Sequence, residues 1–157
     1  MKNISLLLLG LFLGTVTSFA QSDRDAILGD WYNEEKDAVI KIYKENGLYH
    51  GKITWMLNPL DENGKPKTDP LNPDESLKSR PRLGMVIMYN FKYERNSEYS
   101  SLGYVVAKWA DGNIYDPKSG KEYSGSMTLA SKNRLDLRGY VGVPIFGRTS
   151  KWNRKLD

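Results

Sequence analysis

LDLRGYVGVPIFGRTSKWNR, residues 135–154, reads as two strands joined by a turn that carries Gly142 and Pro144. In the second arm, period-two alternation sets Phe146, Arg148, Ser150, Trp152 and Arg154 on one face and Ile145, Gly147, Thr149, Lys151 and Asn153 on the other. A face with two aromatics and two arginines is neither a plain core face nor a plain solvent face. Such a mixture fits the interior of a barrel whose lumen is partly polar.

Upstream of this closing hairpin the chain continues to read as strands and turns. Asp23 to Leu28 suits a short helical turn leading into Gly29-Asp30-Trp31. Ala38 to Tyr43 alternates, with Ala38, Ile40 and Ile42 on one side, and Asn46-Gly47 turns the chain into Leu48–Met56. There Tyr49, Gly51, Ile53 and Trp55 share the expected inward face, and Leu48, His50, Lys52 and Thr54 the outer one. His50, the single histidine, thus falls among polar neighbours and reads as a solvated side chain. Leu83–Phe91 and Tyr104–Trp109 are further apolar runs, separated by a polar segment from Lys92 to Ser101 expected to be a loop. Trp109-Ala110-Asp111-Gly112 reads as a turn, Asn113–Tyr115 as a short strand, and Asp116 to Gly120 as a tight corner in which Asp116 bonds its own turn. Tyr123 to Ala130 alternates with Met127 and Leu129 inward.

Asn58 to Pro81 holds five of the seven prolines and forms one long connection, either a lid over a barrel mouth or a brace. Within it, Asp61-Glu62-Asn63-Gly64 is a turn rather than a calcium loop, because the glycine comes too early and no bidentate Glu follows. Asn72-Pro73-Asp74-Glu75 predicts a helical turn capped by Asn72 and ending near Ser79.

Residues 1–20 carry one Lys, an apolar run from Ile4 to Leu13 and Ser18-Phe19-Ala20, the pattern of a signal peptide cleaved after Ala20. That run is too short for a stable membrane span. The 157 residues contain no cysteine, so neither disulfides nor a lipid-modified cysteine is expected. Residues 21–157 then form one domain, outside the cytoplasm, in the periplasm or secreted. With 23 basic and 19 acidic residues, interleaved except in the tail from Arg148 to Lys155, nucleic acid is not an expected partner.

The expected fold is all-β: an antiparallel up-and-down barrel of about eight strands with one short helix in the long connection. An immunoglobulin-like sandwich and an oligonucleotide-binding barrel are the alternatives. Several ordered motifs also carry a family resemblance. They are Gly29-Asp30-Trp31, Gly51-Lys52-Ile53, Asp69 with Asn72-Pro73-Asp74, Arg80-Pro81 with Gly84, and Gly112 to Pro117 with Gly120 and Tyr123. Arg138-Gly139-Tyr140 with Gly142, and Phe146 to Thr149 with Trp152 and Arg154, complete the set. This order resembles a family of small exported bacterial proteins catalogued as a domain of unknown function, with an insert from Lys92 to about Ala107 as the departure. The resemblance implies a bacterial envelope or secreted protein and no activity. The Gly-x-Trp motif near the first strand, with arginines in the last, also resembles lipocalins.

Two functions are compatible with these residues. One is binding of a small, partly apolar, anionic ligand inside the barrel, with Arg148, Trp55 and Tyr49 as ligand-binding residues. The other is a structural or protein-interaction module whose barrel is filled by its own aromatics. One histidine, no cysteine, no metal-ligand cluster and no nucleophile motif give no basis for catalytic residues, a metal or a cofactor. If the last strand pairs antiparallel with the first, Arg154 lies over Trp31 at the closed end as a structural pair. Arg148, six residues earlier and roughly 20 Å along the strand, then lies at the opposite end.

Overall fold

The computed structural model describes residues 23–94 and 107–156; the expected signal peptide and most of the insert between Lys92 and Ala107 lie outside the described residues. Eight strands run in chain order: β1 (Gly29–Tyr32), β2 (Ala38–Glu45), β3 (Leu48–Met56), β4 (Val86–Glu94), β5 (Lys108–Asp116), β6 (Lys121–Ser131), β7 (Arg134–Tyr140) and β8 (Arg148–Arg154). Each pairs antiparallel with the next, and β8 returns to β1, so the sheet is a closed up-and-down barrel. Neither the sandwich nor the oligonucleotide-binding barrel describes this strand order. The closing seam is short, Trp31 opposite Arg154 and Tyr32 opposite Asn153.

Closure is sealed at one end, the base. Trp31 lies opposite Arg154 in the ladder, and the guanidinium sits 4.1 Å from the indole centroid. Arg154 also donates to the carbonyls of Ala26 (2.6 Å), Leu28 (2.9 Å) and Lys132 (2.9 Å). The Gly-x-Trp motif has a local reason here: Gly29 adopts φ +124°, and a Cβ on it would lie 3.1 Å from Arg154 Nη1. Glycine therefore satisfies the backbone conformation and leaves room for the cation, while Trp31 supplies the ring beneath it. Above this seal Tyr49, Phe91, Trp109, Met127 and Leu135 are buried together and fill the lower half of the barrel.

Two bulges depart from simple alternation. On β3, Ile53 is opposite Ile40 but Trp55 is opposite Val39, so Thr54 is an extra residue. An added residue moves everything beyond it to the other face. Trp55 therefore leaves the expected inward face for the outer one, where it is 42% exposed and packs edge-on against Tyr32 at 6.2 Å. Met56 turns inward in its place. On β5, Ala110 and Asp111 form a bulge within one strand instead of the expected turn: Asp111 has φ 55°, and the register jumps from Trp109↔Met127 to Gly112↔Gly125.

Gly112 faces inward beneath Phe91, whose ring carbons would lie 2.3 Å from an added Cβ. The ring sits where a side chain would otherwise be. Gly112→Ala is expected to cost about 1–3 kcal/mol through overpacking, read as a lower denaturant midpoint; an unchanged midpoint would mean that Phe91 moves freely.

The long connection between β3 and β4 holds one helical turn, Glu75–Leu77, but its cap is Asp74, whose carboxylate accepts from Ser76 N at 2.9 Å. Asn72, expected at the cap, is instead buried. Its Oδ1 accepts from Asp74 N, and its amide joins a network around Asp69. The helical turn was predictable from local residues. The fate of Asn72 depended on Tyr115, 43 positions away.

Candidate functional site

The half of the barrel opposite the base contains a cavity of about 530 Å³, open at the mouth. Its walls come from alternate positions of several strands: Ile40, Ile53, Ile87 and Leu137 are apolar, and Trp152 is the lining residue deepest along β8. A short turn at each strand end and the long connection supply the rim. This division follows from side-chain size, since the large rings near the base fill the lumen and the aliphatic residues above them do not.

The connection is anchored by a buried polar cluster. Asp69, 0% exposed, accepts from Tyr115 Oη at 2.8 Å, Asn72 Nδ2 at 2.8 Å, and Arg80 Nε and Nη2 at 3.2 and 3.1 Å. Arg80 lies over the Tyr115 ring as well, 5.4 Å from its centroid. Burial alone would raise the Asp69 carboxyl, but hydrogen bonds from Asn72, Tyr115 and Arg80, with the charge of Arg80, outweigh it and hold the group below its ordinary value. Asp69 thus ties the connection to β5 beside the mouth.

At the rim, Asn33 donates to Asp37 at 2.6 Å and to Glu35 at 3.0 Å. Lys118 reaches Asp37 from the β5–β6 turn at 3.1 Å. Burial pushes Asp37 up, but bonds from Asn33 and Lys118 bring its carboxyl below the usual value. Asp116 does bond its own corner, accepting from Lys118 N at 2.9 Å and Ser119 Oγ at 2.6 Å.

The three residues expected to meet a ligand are not brought together. Arg148 lines the cavity at the mouth, where its side chain is 84% exposed and 3.6 Å from Glu34. Tyr49 is buried in the base, its hydroxyl donating to Asp25 at 2.9 Å and its ring 5.9 Å from that of Trp109. Trp55 is outside. His50 stacks on Tyr43 at 5.5 Å. Two lining residues not singled out from the sequence, Lys67 and Arg82, come from the long connection, where no periodicity marks a facing direction.

An eight-stranded, closed up-and-down barrel with an apolar-walled, polar-rimmed cavity open at one end is a lipocalin-like barrel. The chain belongs to a family described as an uncharacterised protein conserved in bacteria (DUF2147), whose model matches residues 29–154. Among solved structures it is similar to protein HP1028 from the human pathogen Helicobacter pylori, described as belonging to the lipocalin family. That similarity has 20% identity, a TM-score of 0.65 and 83% coverage of each chain. No curated protein matches the chain. Among the described residues, no helix is long and apolar enough to cross a membrane.

Proposed function

We propose that this protein is exported and holds a small, partly apolar molecule in the upper half of its barrel, with a polar or charged end of the ligand at the mouth. The observation that carries the reading is the cavity itself, about 530 Å³, of the size that small-molecule sites occupy. Its aliphatic walls and charged rim suit an amphiphile inserted tail first. Lipocalin-like architecture supports the same reading. In this proposal Ile40, Ile53, Ile87 and Leu137 contact the tail and Trp152 its far end, Arg148 guards the mouth, and Trp55 and Tyr49 have no part in contact. The role is binding rather than catalysis.

Native mass spectrometry of the protein purified from its own host tests export and occupancy together. The expected spectrum shows a chain beginning at Gln21, because Ser18 and Ala20 fit the cleavage rule, and an added small-molecule mass that disappears on lipid extraction. A chain retaining Met1 sinks the export reading. A purely apo spectrum that stays apo after incubation with host lipid extract sinks the binding reading.

One observation favours the second reading, a protein-interaction module. The β7–β8 turn exposes Val141, Val143, Ile145 and Phe146, the last at 83%. Arg138 braces it through bonds to Pro144 O at 2.8 Å and Ile145 O at 3.2 Å. A copurifying protein lost on Phe146→Ser would support that reading.

A further inference from the structure

We infer that Lys67 and Arg82 form the anion-recognition site of the cavity, which selects an amphiphile with a carboxylate or similar single anionic head. The inference rests on the reading that the cavity binds a small molecule, and it deepens that reading by assigning the head group to residues of the long connection rather than to Arg148.

The two cations are held together by backbone. Thr68 and Pro81 form an antiparallel bridge, which places Lys67 directly opposite Arg82, and Arg82 N donates to Lys67 O at 2.9 Å. Both residues are half-buried and among those that line the cavity. Like charges directly opposite each other on paired strands repel, so this arrangement carries a cost in the empty protein. Among the described residues, the other charged groups that line the cavity have partners. Lys118 pairs with Asp37 and Arg148 with Glu34, while Glu35 and Asp116 accept from Asn33 and from their own turn.

Lys67 Nζ and the two Nη groups of Arg82 have no hydrogen-bond or salt-bridge partner among the described residues. Arg82 is nevertheless oriented, because its Nε donates to Thr68 O at 2.7 Å. That bond leaves the Nη groups free to donate. A planar guanidinium with free N–H groups suits a carboxylate, and an adjacent ammonium adds a third donor and a second charge. The Asp69 cluster fixes the connection that carries both residues, so the donors are in place before a ligand arrives.

The experiment compares dodecanoate with dodecanol, which have the same tail and differ in the charge of the head, by displacement of a fluorescent apolar probe from purified protein. The wild type is expected to bind the acid about tenfold more tightly, the effect of charge-assisted bonds worth roughly 1.4 kcal/mol. In Lys67→Met/Arg82→Gln the ratio should fall to about one while dodecanol affinity is kept, and in Arg148→Ala the preference should persist. Lys67→Met alone, which removes no hydrogen bond or ion pair seen among the described residues, should reduce the ratio severalfold. Failure of the wild type to bind either compound overturns the cavity reading itself. Binding of both compounds without preference, or a preference that survives in the double variant, overturns the assignment of Lys67 and Arg82 and leaves the cavity reading standing.

Discussion

Asp69→Ala is expected to lower the unfolding free energy by about 3–5 kcal/mol, the cost of removing one partner from a buried ion pair. Asp69 is fully buried and receives four hydrogen bonds from three residues. Its loss strands the Tyr115 hydroxyl, one amide bond of Asn72 and the half-buried Arg80 guanidinium together. Tyr115→Phe, which removes a single donor, should cost much less, about 1 kcal/mol.

The same group makes the fold sensitive to acid. Its carboxyl titrates below the ordinary value of 3.8 in the folded state, so folding favours the ionised form. That contribution is present above the unfolded-state value and is lost as pH falls through the lower folded value. The wild type should therefore lose stability below about pH 4 more steeply than Asp69→Ala. Urea midpoints at pH 7 and pH 3 for both proteins check the prediction. A variant within 1 kcal/mol of wild type at pH 7 would show that the cluster does not hold the connection.

Arg154→Ala should be nearly as damaging, by about 3 kcal/mol, while Arg148→Ala leaves the thermal midpoint essentially unchanged. The two arginines share one face of β8 and the same chemistry, and their environments decide the difference. Arg154 donates to three carbonyls and covers the Trp31 ring; charge-assisted bonds and a cation over an indole each contribute on the order of 1 kcal/mol or more. Burial lowers the Arg154 pKa, but a guanidinium remains charged, so no neutral form relieves the loss. Among the described residues Arg148 meets only Glu34, across 3.6 Å and largely in solvent, where an ion pair contributes little. Arg154→Lys keeps the charge but not the fork of donors and should recover a minor part of the loss. A strong effect at Arg148 with none at Arg154 would contradict the seal at the base.

The barrel was legible because its information is local and repeated. Alternation along β8 placed Arg148 and Arg154 at opposite ends of one strand, and antiparallel pairing with β1 then brought Arg154 to Trp31. The binding residues were less legible. Alternation places Trp55 with Tyr49 and Ile53, yet one extra residue in β3 turns Trp55 out and Met56 in, and no residue between Gly51 and Met56 announces the bulge. Tyr49 does face inward, but it belongs to the packed base. Asn72 is a sound helix cap by composition. Its burial came from Asp69 and Tyr115.

By itself, then, the sequence determined the strand alternation outside the two bulges, most of the turn positions, the closing hairpin and, given antiparallel closure, the pairing of Arg154 with Trp31, since each rests on the two-residue period of a strand and on antiparallel order. Only the tertiary structure decided which half of the lumen stays open, which way Trp55 faces, and that Lys67 and Arg82 are paired through backbone beside the cavity. Those outcomes depend on ring volumes summed across several strands, on a bulge that answers to the partner strand, and on a proline-rich connection whose direction is set by a carboxylate and a tyrosine 46 positions apart.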